Sequence, residues 1–334
     1  RKGKGRRAGG VRVGAGVACW ERLIRSGSIE QQNVCGSGKH GTENLSTSKI
    51  NRNIGLSYTD RYHTVDGVSR GFDIYSRRTD ASMLGLGFYT TNTLGAGVRY
   101  GIPLTEVDSL GLGLAAENTR LGVDSSSPLR YQEFVKIFGD NNNAVPGSIG
   151  WVRDQRDNAL MPTSGTLIRA TLEAGLPGGT LKYYKLTDQV QWYYPISRSY
   201  TLMLNGEIGA ANGMGGKPLP FYKNLYAGGP TSVRGYDSYS LGPRDANDAI
   251  LGGNKRIVGN AEVVFPMPGT GADRSMRLSV FLDAGQVYGA EEKMRLAELR
   301  YSTGLSFNWI SPLGPIRLSD GHPLNAKGSA KTHN

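Results

Sequence analysis

Residues 276–285 read Met-Arg-Leu-Ser-Val-Phe-Leu-Asp-Ala-Gly, and the alternation in this stretch indicates the fold class. Every second residue from Met276 to Ala284 is apolar, a period of two that predicts a β-strand with one apolar face. The positions between them form a mostly polar face and are Arg277, Ser279, Phe281 and Asp283. The strand is therefore expected to separate two unlike environments, one on each side of a sheet.

The same alternation recurs along the chain, at Leu110–Leu114, Leu202–Ile208, Asn260–Pro266 and Tyr301–Trp309. Helical periodicity is nearly confined to Arg130–Phe138 and Glu291–Leu299. Alternating segments of about ten residues, separated by turn residues, are typical of a transmembrane β-barrel. We therefore predict an all-β fold, a transmembrane antiparallel β-barrel. A soluble β-sandwich is the alternative, because each segment alone is a weak signal.

The composition favours the barrel. The chain has 334 residues, 48 of them glycine, a mean hydropathy of −0.37 and no apolar run of eighteen residues, which excludes a helical membrane protein. Tyrosine outnumbers phenylalanine 17 to 8, and aromatic residues recur near the predicted strand ends. This distribution resembles the interfacial girdle of an outer-membrane barrel. Aromatic residues also favour strands of any kind, however, so the girdle does not decide the question alone.

The positive charge of the chain is concentrated at one end. Of the net charge of +11, residues 1–25 contribute +7 and the remaining residues +4. A basic tail of this kind attracts anionic lipid or nucleic acid only weakly and without specificity. Aromatic residues are not interleaved with the basic ones, as they would be on a nucleic-acid-binding face. We therefore expect no nucleic-acid partner.

The spacing of polar residues matches no catalytic or cofactor-binding motif. Residues 36–39 resemble the end of a phosphate-binding loop, but Asn33 and His40 stand where that motif requires glycine and serine or threonine. The four histidines have neither an HExxH nor a catalytic-triad context. Cys19 and Cys35 lack metal-binding spacing and are too few for a disulfide framework. We expect no cofactor, no metal and no enzymatic activity.

One arginine, Arg234, lies at the tip of a glycine-rich turn inside a loop of roughly forty residues, and loops of that length usually carry function or lack order. Arginine keeps its charge in proteins, so a buried Arg234 must find acidic partners. The alternation places two acids, Glu262 and Asp283, on the polar phase of downstream strands. They are the candidate partners.

Several segments resemble the BamA family, the barrel-assembly insertases of Gram-negative outer membranes. Gly228–Tyr236, with Ser240–Pro243 after it, resembles the sixth extracellular loop of that family. Other matches occur in the same order, at Tyr62–Ser69, Phe221–Gly229, Gly252–Asn254 and Ser311–Ile316. The Val-Arg-Gly-aromatic motif alone is less specific, since two-partner-secretion pores and TamA-like proteins share it.

The resemblance implies that the loop folds back into the barrel lumen and is locked there. Carried over by motif, this lumenal loop lock consists of Val233, Arg234, Gly235, Tyr236, Glu262, Phe281 and Asp283. The implied function is folding and insertion of β-barrel proteins through a lateral seam in the bacterial outer membrane. The implied partners are unfolded outer-membrane β-barrel clients, assembly-complex lipoproteins and outer-membrane lipids. A two-partner-secretion or TamA-like transport pore, or a non-functional truncated fragment, is the alternative.

The expected domain organisation departs from that family at both ends. Residues 1–25 are expected to be an atypical basic tail with a doubtful first strand near Val11–Val17, and residues 26–334 the barrel, with a long extracellular loop at 212–252. The family has nominally sixteen strands, and the last of these is expected to be missing here. The soluble periplasmic POTRA domains are also expected to be absent.

Overall fold

The computed structural model describes residues 9–18, 22–32, 40–48, 51–84, 86, 88–269, 275–312 and 314–325, and within these ranges the side chains from residue 42 onward except those of residues 83 and 84. Within these ranges the chain forms sixteen strands, β1 to β16, and one α-helix, α1. None of the described helices is long and apolar enough to cross a membrane. Cys19, Cys35 and the most basic part of the expected tail, residues 1–8, lie outside the described residues.

The chain divides into two compact units, residues 1–150 with 173–182 and residues 151–172 with 183–334. In the first unit, β1 to β7 pair antiparallel in sequence order and the short β8 folds back onto β7. Its elements are β1 Gly9–Ala18, β2 Arg22–Gln32, β3 His40–Thr47, β4 Asn51–Asp60, β5 Ser69–Asp80, β6 Tyr89–Pro103, β7 Asp108–Val123, α1 Leu129–Phe138 and β8 Asn141–Ala144.

Two further strands, β9 Pro146–Asp154 and β10 Gly165–Gly175, contribute residues to both units. In the second unit, β11 to β16 pair antiparallel, each with the next along the chain. These strands are β11 Tyr183–Pro195, β12 Thr201–Gly213, β13 Lys255–Pro266, β14 Met276–Tyr288, β15 Arg300–Ser311 and β16 Gly314–Pro323.

Two expectations need correction. Residues 9–18 form β1 and residues 22–25 begin β2, so these parts of the expected tail are strand. Strand β1 is defined by its backbone pairing with β2 along its whole length. Its glycine-rich sequence has too few side chains to predict the strand clearly. The helical pattern at Glu291–Leu299 yields only a 3₁₀ turn at Leu296–Glu298. The expectation that the last strand is missing concerns residues after 325, and these lie outside the described residues.

The alternation in residues 276–285 divides the second unit as predicted. Val280 and Leu282 of β14 are each 47% exposed, whereas Ser279, Phe281 and Asp283, which alternate with them, are buried. Leu305 of β15 and Leu318 of β16 are more than half exposed on the same side as Leu282. We call this exposed apolar side the outer face and the opposite side the loop face.

The loop face is covered by the segment between β12 and β13, residues 214–254. Three isolated antiparallel bridges hold this loop in shape, and they join Leu225 to Gly253, Ala227 to Leu241 and Arg244 to Ile250. Side chains from the loop and from the strands below it form one buried apolar cluster, consisting of Ala227, Val233, Tyr236, Leu241, Val258 and Val287. The loop is therefore an ordered layer on the sheet.

Replacing Leu282 by arginine should test whether the outer face contacts lipid. The substitution should destabilise the protein by roughly 2–4 kcal/mol, since a cation on the lipid-facing side of a barrel is most costly near the bilayer midplane. The matched variant Met267→Arg, in the turn after β13, should cost only about 0–1 kcal/mol. Urea unfolding in lipid vesicles measures both, and equal effects would mean that the outer face does not contact lipid.

Candidate functional site

The site begins at the tip of the loop, where the backbone turns sharply. Gly229 has a φ of 94° and Gly235 a φ of 85°, conformations that glycine adopts without steric cost. The Gly229 N–H donates to the Val233 carbonyl at 3.2 Å, and the Ser232 N–H donates back to the Gly229 carbonyl at 3.1 Å. This closed turn presents the Arg234 side chain to β13 and β14.

Arg234 is bound by Asp283 through three hydrogen bonds. Its Nε donates to Oδ2 and its Nη2 to Oδ1, both at 2.7 Å, and its backbone N–H donates to Oδ2 at 3.0 Å. The two side-chain bonds form the bidentate pairing that suits the planar guanidinium. The ring of Phe281 supports the other side, with its centroid 3.5 Å from the Arg234 Cζ. The geometry fixes both the position and the plane of the guanidinium.

Glu262 supplies the second carboxylate and has three donors around it. Arg234 Nη1 donates to its Oε2 at 3.1 Å, and Ser279 Oγ donates to its Oε1 at 2.5 Å. Arg317, from β16, also donates to Oε2, from Nη2 at 3.3 Å. Asp283 thus accepts its hydrogen bonds from the loop, whereas Glu262 accepts from the loop, from β14 and from β16.

These charges lie away from water. Arg234 is 4% exposed, Glu262 3% and Asp283 0%. Burial alone would lower the pKa of Arg234, but the hydrogen bonds and charges of Asp283 and Glu262 outweigh it and raise the pKa above its ordinary value. The guanidinium is therefore always charged, and removing it would leave two buried carboxylates without their main counter-charge.

The residues on either side of Arg234 are packed as tightly as the arginine. Val233 is fully buried against Gly285, where a Cβ would come within 2.7 Å of the Val233 Cγ2. Tyr236 is 1% exposed, and its hydroxyl donates to the Tyr301 carbonyl at 3.2 Å and to Asn325 Oδ1 at 3.3 Å. Burial raises the pKa of the Tyr236 phenol. All seven residues assigned to the loop lock from sequence thus lie in one continuous set of contacts.

Sequence reasoning missed several residues that complete this set. Asn260 donates from Nδ2 to the Ser232 carbonyl at 2.7 Å and accepts at Oδ1 from Asn205 Nδ2 at 2.8 Å. Asn205 accepts in turn at its Oδ1 from Gln189 Nε2. Asn260 lies on the same phase of β13 as Glu262, so the alternation could have found it. Ser279 shares a phase with Asp283 in the same way. Arg317 could be found only once the strand order was known.

The arrangement binds a loop, and its acids are occupied in doing so. Among the residues that the structure describes, no group of three or more His, Cys, Asp or Glu side chains lies close enough to hold a metal ion. Both buried carboxylates accept hydrogen bonds from arginine. The site therefore attaches the loop tip to four strands, β13 to β16.

Comparison with known proteins identifies the fold. A model of the Omp85 superfamily domain matches residues 33–334, which is most of the chain. The chain belongs to the Omp85 superfamily. It is 38% identical to the outer membrane protein assembly factor BamA of Neisseria meningitidis serogroup B, over 96% of this chain and 45% of that protein. The BamA of Nitratidesulfovibrio vulgaris is 26% identical, over 99% of this chain and 41% of its own length.

A solved structure of this superfamily has the same fold. The crystal structure of BamA from Haemophilus ducreyi lacking POTRA domains 1–3 matches with a TM-score of 0.93 and 25% identity, over 99% of this chain and 69% of that one. The predicted fold class, a transmembrane antiparallel β-barrel, and the bacterial outer membrane as its location are thereby confirmed. The chain spans less than half the length of the two curated relatives.

Replacing Arg234 by alanine should release the loop. We expect the free energy of unfolding to fall by about 3–5 kcal/mol, because the substitution leaves two buried carboxylates without their main partner. Arg295→Ala is the matched control, since Arg295 is 70% exposed and pairs with Glu298 at 3.6 Å. That exposed pair should contribute less than about 1 kcal/mol. Urea unfolding and limited proteolysis of residues 214–254 measure the effects, and a loop as protease-resistant as wild type would contradict the assignment.

Proposed function

We propose that this barrel domain folds and inserts β-barrel proteins into the outer membrane, through a lateral seam and without covalent chemistry. The observation that carries the proposal is the docked loop, in which one buried arginine is shared by two buried acids of neighbouring strands. The identity to proteins named outer membrane protein assembly factors supports the same function. The partners that we propose are unfolded β-barrel clients, assembly-complex lipoproteins and outer-membrane lipids.

The proposed mechanism uses backbone hydrogen bonds as its source of free energy. An exposed strand edge carries unpaired N–H and C=O groups that can pair with another chain. A client segment that adds to such an edge gains main-chain hydrogen bonds, and alternate side chains provide the selectivity. Pairing of this kind needs no nucleotide, metal or other cofactor. It requires only that a strand edge of the barrel becomes available and is then vacated.

In this mechanism the seven residues of the lumenal loop lock, defined above, hold the loop in place. A buried ion pair favours one arrangement strongly, because a misplaced partner leaves an uncompensated charge. The lock would therefore hold the loop in one position while the strands around it exchange partners. It acts as a positioning device, and none of its residues reacts with the client.

The full-length protein in lipid vesicles should accelerate the folding of several unrelated barrel proteins. Arg234→Ala should lose at least about tenfold of that acceleration, because a loss of a few kcal/mol in docking depopulates the docked state. Arg295→Ala should retain the wild-type rate. Folding of the clients is followed by their heat-dependent mobility on gels, and the same gel shows whether each variant is itself folded.

Other outcomes would point away from the proposal. Stable ion conductance together with handling of one client only would indicate a secretion pore of the same superfamily. No acceleration by the folded wild-type protein would exclude the insertase function. Full acceleration by a folded Arg234→Ala variant would mean that the lock has no part in the reaction.

A further inference from the structure

Strand β16 has little packing of its own. It pairs with β15 from Ser302 opposite Pro323 to Ser311 opposite Gly314, and its side chains from Pro315 to Asp320 are exposed. No other strand pairs with β16 among the residues that the structure describes. Backbone hydrogen bonds of a strand with exposed side chains open at low free energy, so contacts on the loop face should contribute to the position of β16.

The loop tip supplies such a contact through two glycines. Gly321 of β16 lies so close to the tip that a Cβ there would come within 2.7 Å of the Gly235 nitrogen and 2.9 Å of the Arg234 carbonyl carbon. From the other side, a Cβ on Gly235 would lie 2.8 Å from the Gly321 oxygen. The two backbones therefore touch directly, and neither position has space for a side chain.

An ionic contact reaches β16 from the same lock. The Oε2 atom of Glu262 accepts from Arg234 of the loop and from Arg317 of β16, at 3.1 Å and 3.3 Å. One carboxylate oxygen thus joins the loop to the strand. Arg317 is 48% exposed, so its share of the attraction is screened by solvent. Its geometric effect is to hold β16 over the buried acid.

A third contact fastens the end of β16. Asn325, two residues after the strand, accepts from the Tyr236 hydroxyl at 3.3 Å and from the Tyr301 N–H at 2.7 Å, both on Oδ1. Its own Nδ2 donates to the Leu299 carbonyl at 2.8 Å. The same side chain therefore connects the loop tip with the beginning of β15.

We infer that the loop tip is the clamp of β16, with Arg317 and Gly321 as positioning residues, so that release of the loop and loosening of β16 are one event. The loop tip would then control when the edge of this strand is free to pair with another chain. This consequence for client insertion rests on the proposed function, whereas the coupling itself is a property of the folded chain. Asp320 and Leu318 lie exposed on the outer face, so the contacts of Arg317 and Gly321 with the loop and Glu262 are made from the opposite face of β16.

Hydrogen exchange of the full-length protein in lipid nanodiscs tests the coupling. Gly321→Ala should raise the exchange of amides in both β16 and residues 228–241 by about tenfold or more, since a Cβ at 321 pushes the two backbones apart. Gly259→Ala is the matched control, because on β13 a Cβ would meet only the Asn205 oxygen at 4.0 Å. It should leave both regions protected as in wild type.

The coupling also predicts an effect in the opposite direction. Arg234→Ala should raise the exchange of β16 amides, although no Arg234 hydrogen bond reaches that strand. Arg317→Gln should loosen both regions more weakly, and Arg317→Lys should restore most of the protection by keeping the charge over Glu262. In a double-mutant cycle, Arg317→Gln should add little once Glu262→Gln is present.

The inference is overturned if β16 stays fully protected while the loop of a folded Arg234→Ala variant exchanges freely. It is also overturned if Gly321→Ala and Gly259→Ala behave alike. Both outcomes are independent of client insertion, because exchange is measured without a client. A protein that fails to insert clients but shows coupled exchange would contradict the proposed function and leave the clamp intact.

Discussion

The arrangement of the second unit depends on one charge that cannot be removed. A buried lysine or carboxyl group can lose its charge by a shift of its pKa, but arginine stays protonated in proteins. Arg234 must therefore keep an acid beside it where it is buried, and its position over Asp283 and Glu262 provides two. The docked position of the loop depends on this pairing. Its apolar cluster, its glycine turn and its contact with β16 all follow from where the guanidinium lies.

The sheet makes this position available through its alternation. Successive side chains of a strand point to opposite faces. The register of β14 that exposes Val280 and Leu282 on the outer face therefore directs Ser279, Phe281 and Asp283 to the loop face. A shift of β14 by one residue would bury leucines under the loop and place an aspartate in the membrane. The ion pair and the apolar outer face thus select the same register.

Many of the strands and the acidic partners of Arg234 could be predicted from the sequence, whereas contacts that depend on strand order could not. Period-two alternation predicts β7 and β12 to β15, and the chemistry of a buried arginine predicts Glu262 and Asp283 as its partners. Strand β1 was doubtful and β8 was missed, because in both the backbone pairing decides and the side-chain pattern is weak. Arg317 was missed because its partner is fifty-five residues away on a strand that is not its neighbour. Cross-strand contacts of this kind depend on register and strand order, which no local pattern contains.

A buried ion pair is a poor source of net stability but a good source of specificity, since desolvation offsets most of the attraction between the charges. This balance suits a loop that has to hold one position without being fixed permanently. When Arg234 is docked, the tip contacts β13 and β14 through charges and β16 through the Gly235 backbone. The Arg234 N–H is also bonded to Asp283, so a movement of the loop backbone away from β14 would move Gly235 away from Gly321 as well. In the clamp that we infer, the loop would therefore be either docked or released, and both ends of the contact would change together.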